Sequence, residues 1–143
     1  GSVSGSDSIV YTYFAEAGTT YIAVMDATTA YDADEKVGGQ GRGPKPKGLT
    51  LVSLGGCTGM DVIHILRKMK QSPTWFNVRV EADLTEEHPK HYARMTVIYQ
   101  FKEEDQLDGK KVLRAVTLSQ EQYCGVSAQL ARGTELDHRI EYI

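Results

Sequence analysis

Between Gly48 and Met60 the chain carries no charged side chain, while apolar residues recur at helical spacing through Leu66. This pattern predicts one long helix over Lys47–Lys70, covered by protein along its first half and reaching water at Asp61, Arg67, Lys68 and Lys70. Cys57 lies in the enclosed half, with Gly55, Gly56 and Gly59 around it. Each glycine inside a helix costs about 1 kcal/mol relative to alanine, so their clustering implies that another backbone or a substrate comes close to this sulfur.

The remaining patterns have the period of strands. Ser8–Ala15 and Thr20–Ala27 are rich in Tyr, Ile, Val, Thr and Phe around a turn at Gly18, which predicts a hairpin. Thr28–Lys45 holds Gly38, Gly39, Gly41, Gly43 and Pro44 without any period and reads as a long loop, its basic end leading to Pro46 at the first turn of the helix. Beyond the helix, Phe76, Val78, Val80 and Ala82 alternate with Asn77, Arg79, Glu81 and Asp83, and a second strand places Ala93, Met95, Val97, Tyr99 and Phe101 on one face. Val112, Leu113, Val116 and Leu118 suit a helical segment. Ser119 with Gln122 forms a capping-box pattern, predicting a fresh helix over Gln120–Arg132 that ends at Gly133. Glu135–Ile143 closes the chain as a strand, so the expected order is β-β-loop-α-β-β-α-β in an α+β fold.

Composition narrows the classes of function. A chain of 143 residues with 41% hydrophobic and 24% charged residues reads as one domain, 1–143, with residues 1–7 as an added or disordered tail. A net charge of -3 and a pI near 5.8 leave no footprint for nucleic acid or an anionic membrane. No uninterrupted apolar run approaches the roughly 20 residues that span a bilayer, so no membrane partner is expected. Two cysteines are too few for a disulfide scaffold and point to a cytoplasmic protein with buried or functional thiols. There is no phosphate loop, dinucleotide fingerprint or serine-hydrolase elbow, and no cofactor is expected.

The candidate chemistry rests on the thiols. Cys124 falls in the opening turns of its predicted helix, where free N–H groups favour a thiolate. Cys57 lies inside a helix and needs a neighbouring cation or convergent hydrogen bonds to ionise. Cys57, Asp61 and His64 share one helical face, and with Cys124 they would make a set able in principle to hold zinc. No tight Cys or His spacing supports a metal, and none is expected. His88, His91 and His138 are scattered.

Three motifs together resemble a known family. They are Gly38-Gly39-x-Gly41-x-Gly43-Pro44-x-Pro46, then Leu54-Gly55-Gly56-Cys57-Thr58-Gly59-Met60-Asp61-Val62, then Ser119-x-x-x-Tyr123-Cys124-x-Val126-Ser127-Ala128. In this order they are similar to the OsmC/Ohr family, and the likeness covers most of the chain from about Ile9. It implies an intertwined homodimer whose long helices pack between antiparallel sheets, with active sites at the subunit interface. It also implies a thiol-dependent peroxidase in which Cys57 attacks a small organic hydroperoxide and Cys124 resolves the sulfenic acid to a disulfide, which an external dithiol reduces. The family's better-known peroxidases hold an activating Arg with a Glu where this chain has Lys47, after Pro46. Arg42, Lys47 and Asp61 are therefore the candidates for activating Cys57 or lining its substrate site. The alternative is a non-catalytic member that binds a small apolar ligand or a partner at the dimer interface.

Overall fold

A computed structural model describes residues 3–16, 20–25 and 46–143, with side chains from residue 47 onward. Strands β1 (Val3–Glu16) and β2 (Thr20–Met25) form the expected antiparallel hairpin. A single 3₁₀ turn, Pro46–Gly48, leads into helix α1 (Leu49–Lys68). Strands β3 (Trp75–Thr85) and β4 (Tyr92–Phe101) pair antiparallel, helices α2 (Gly109–Leu118) and α3 (Gly125–Leu130) follow, and β5 (Glu135–Tyr142) completes a sheet ordered β2-β1-β3-β4-β5.

Three expectations change. Residues 3–7, expected in an added or disordered tail, lie in β1, which begins at Val3, and Gly5, Ser6 and Asp7 pair with Leu84, Asp83 and Ala82 at the far end of β3. A segment of Ser, Gly and Asp after Val3 lacks the apolar alternation of a strand, and its backbone is held by the β3 ladder. The sheet is not wholly antiparallel: β5 runs parallel to β4, Tyr99 opposite Ile140. A parallel neighbour needs a crossover connection, and α2 and α3 supply it. The capping box at Ser119 is also not formed. Ser119 has helical angles and closes α2, whose N-cap is Asp108, its carboxylate accepting from the Lys110 N–H at 3.0 Å. The chain then winds through one π turn, Ser119–Tyr123, closed by the Cys124 N–H donating to the Ser119 carbonyl at 2.8 Å. That wider turn delivers Cys124 to the N-cap of α3.

The core lies between α1 and one face of the sheet. The buried stripe of α1 runs Leu51, Leu54, Gly55, Thr58, Gly59, Val62, Ile63 and Leu66, the three-and-four spacing that the sequence predicted. Against it stand Phe76, Val78, Val80, Met95, Val97, Tyr99 and Phe101, all at most 1% exposed. Phe76 and Phe101 are register partners and stack at 4.7 Å between ring centroids. By length and composition α1 meets the criteria for a membrane span, against the expectation from the sequence, but its buried stripe packs on a sheet as a core helix does. Gly55 and Gly59 belong to that stripe, and only Gly56 is half-exposed. Two of the three glycines therefore serve the packing of α1 rather than access to sulfur. On the exposed side of α1, Ser53, Met60 and His64 face outward, and Met60 is 64% exposed.

Candidate active site

The fold brings Cys57 and Cys124 together although they lie in different helices. Cys57 projects from the middle of α1, half-buried, and Cys124 caps α3, only 3% exposed. The two sulfurs and a carboxylate oxygen of Asp61, one turn beyond Cys57, all lie within 4.8 Å of one another. Both thiols are free. The Ser127 N–H donates to the Cys124 sulfur at 3.4 Å, and the Val126 backbone lies where it favours the Cys57 thiolate.

Asp61 is held by a chain of hydroxyls that the sequence did not reveal. Ser119 Oγ donates to Asp61 Oδ2 at 3.1 Å and lies 2.7 Å from Thr58 Oγ1, which is 2.5 Å from Tyr99 Oη, itself accepting from Gln120 Nε2 at 2.5 Å. Each hydroxyl has one proton to give. Because Ser119 gives its proton to Asp61, Thr58 must donate to Ser119 and Tyr99 to Thr58, so the chain runs in one direction from Gln120 to the carboxylate. Thr58, Tyr99 and Ser119 are buried. The only sequence hints were a threonine at a buried helical position and a tyrosine on the apolar face of β4.

The electrostatics do not favour a thiolate at Cys57. Burial first, then the Cys124 thiol and more weakly the charge of Asp61, push the Cys57 thiol from 9.0 up to about 11, and the Val126 N–H only partly opposes them. Burial also raises the Asp61 carboxyl, against the Ser119 hydrogen bond and the charge of His64. Tyr99 is raised to about 12, chiefly by burial. Lys47 is exposed on the 3₁₀ turn, and Arg42 lies outside the described residues. Of the four residues that the sequence offers for zinc, His64 lies outside the trio and instead borders a cavity of about 600 Å³ with Asp61, Ile65, Lys68, Met69, Leu118 and Tyr123.

An α+β chain that brings two free thiols within 4.8 Å of each other, between its central helix and its crossover helices, is a two-cysteine thiol protein. The chain belongs to the OsmC-like protein family, whose model matches residues 39–139. It is 27% identical to Protein YhfA of Escherichia coli over 132 residues, covering 92% of this chain and 90% of that protein. A hypothetical protein from Aquifex aeolicus VF5 has the same fold, with a TM-score of 0.63 and 26% identity over 99% of this chain and 96% of its own. An organic hydroperoxide resistance protein OsmC from Legionella pneumophila superposes with a TM-score of 0.56 at 14% identity, covering 95% of this chain and 96% of its own, a likeness of fold.

Proposed function

We propose that this protein is a dimeric thiol-dependent peroxidase acting on small organic hydroperoxides, with Cys57 as the peroxidatic and Cys124 as the resolving thiol. The observation that carries this reading is the approach of two free sulfurs to within 4.8 Å, one half-buried and one buried, in an OsmC-like fold. The Cys57 thiolate attacks the O–O bond, the distal oxygen stays on sulfur as a sulfenic acid and the alcohol departs. The Cys124 thiol then displaces water from that sulfenic acid to form the disulfide, and an external dithiol returns both thiols. Dependence on such a reductant suits a reducing, cytoplasmic compartment.

Ionising Cys57 requires positive charge beyond what faces it among the described residues. With a pKa of about 11, only about one thiol in ten thousand is ionised at neutral pH. Arg42 and the second subunit are the sources this reading assigns. Assembly is supported by Met60, an apolar side chain 64% exposed on the uncharged half of α1. The test is intact mass under non-reducing conditions after one equivalent of cumene hydroperoxide. Loss of two hydrogens, absent in Cys57→Ser, is expected, and two unchanged thiols would overturn the proposal. The high pKa of Cys57 and the cavity beside Asp61 favour a second reading, a non-catalytic member that binds a small apolar ligand. In that case ligand binding survives Cys57→Ser and no dithiol-dependent consumption of peroxide occurs.

A further inference from the structure

We propose that Cys57, Cys124 and Asp61 form a binding site for a borderline-soft divalent cation such as Zn²⁺, with three protein ligands and one open position. Two sulfurs and a carboxylate oxygen mutually within 4.8 Å are the donor set and the spacing from which such a site closes. A tetrahedral zinc ion with sulfur at about 2.3 Å and oxygen at about 2.0–2.2 Å needs donors roughly 3.5–3.8 Å apart. Closing from 4.8 Å to that spacing takes a shift of about 1 Å, a distance within the range of side-chain rotation.

Charge points the same way. Two sulfurs and a carboxylate oxygen are donors that together can carry three negative charges at one point. Once a dication sits between them, each of the three anionic ligands is attracted to it and their mutual repulsion is offset. The surroundings resemble the outer sphere of a metal centre. Ser119 engages only Oδ2 of Asp61 and is itself fixed by Thr58, while backbone N–H groups of Val126 and Ser127 approach the two sulfurs. Cys57 is half-buried, which leaves an open side for a fourth ligand.

The experiment is titration of the reduced, full-length protein with Co²⁺, followed by displacement with Zn²⁺. The expected result is one cobalt per chain, with a sulfur-to-cobalt charge-transfer band in the near ultraviolet and the intense visible bands of tetrahedral cobalt, all erased by Zn²⁺. Asp61→Asn keeps the shape and the Ser119 hydrogen bond but removes the anionic ligand, and it should weaken Co²⁺ at least tenfold. Ser119→Ala should weaken it 10–100-fold, about what loss of an outer-sphere partner costs. No charge-transfer band in the wild-type chain, or equal affinity in wild type and Asp61→Asn at unchanged circular dichroism, overturns the proposal. Peroxide consumption by the metal-free protein is measured in parallel, so failure of the peroxidase reading is separable from failure of this one.

Discussion

Replacing Asp61 by Asn should make Cys57 a better nucleophile. Asn keeps the side-chain oxygen that accepts from Ser119, so the substitution removes a charge and little else. At a separation of at most 4.8 Å, a carboxylate and a thiolate repel by about 0.9 kcal/mol in water and by about 3.5 kcal/mol at an effective dielectric of 20. The smaller figure is the one to use. Both side chains are half-exposed, and among the influences that raise the Cys57 pKa the charge of Asp61 ranks below burial and below the Cys124 thiol. A gain of about 0.9 kcal/mol multiplies the thiolate fraction at neutral pH about fourfold. Intrinsic nucleophilicity falls as the thiol becomes more acidic, with a Brønsted coefficient of about 0.4–0.5, so the rate should rise about twofold.

The assay is the pH dependence of iodoacetamide alkylation in a Cys124→Ser background, where Cys57 is the sole thiol of the chain. The Asp61→Asn profile should shift to lower pH, with the neutral-pH rate about doubled. A rate that stays the same or drops would refute the reasoning, because a carboxylate acting as the base that takes the Cys57 proton must slow the reaction when lost.

Three further outcomes follow from the same geometry. Thr58→Val removes the middle of the hydroxyl chain at a fully buried position, leaving Ser119 without its donor and Tyr99 without its acceptor, and should cost about 1–3 kcal/mol in urea unfolding. Met60→Glu puts charge on the exposed apolar side of α1 and, for the proposed dimer, should shift sedimentation toward monomer at unchanged circular dichroism. The fold holds Cys57 and Tyr99 protonated, raising them from 9.0 to about 11 and from 10.0 to about 12. Their contribution is thus complete below about pH 9 and is lost as pH climbs toward 12, so urea midpoints should fall through that window, and less steeply in Tyr99→Phe.

What was legible in the sequence is what has a period. Leu51, Leu54, Val62 and Leu66 at helical spacing, and Phe76, Val78, Val80 in alternation, each announce one buried face without help from the rest of the chain. Ser119 misled because Ser-x-x-Gln is a capping signature only where a helix starts, and here the helix simply continues through a wider turn. Its hydroxyl points sideways to Asp61 and Thr58 instead of along the backbone. The direction of β5 depends on where α2 and α3 carry the chain, which no local pattern encodes. The proximity of Cys57 to Cys124 depends on α1 packing against α3, and a tertiary contact of that kind leaves no mark on spacing.

Asp61 then decides how the site should be understood. Buried hydroxyls without partners are costly, so a one-way chain from Gln120 through Tyr99, Thr58 and Ser119 has a physical consequence at its end: it stabilises the ionised form of the carboxylate and fixes its direction. A fixed anion beside Cys57 adds to the burial that keeps that thiol protonated until positive charge arrives. In the peroxidase reading that charge is a guanidinium from the chain or its partner, acting at a distance through Coulomb attraction. In the metal reading it is an ion bound directly to the three donors. The two cannot act at once, because an ion bound to both sulfurs occupies the lone pairs that would attack a peroxide. Under the two proposals together, cation and peroxide compete for one pair of sulfurs beside a single carboxylate.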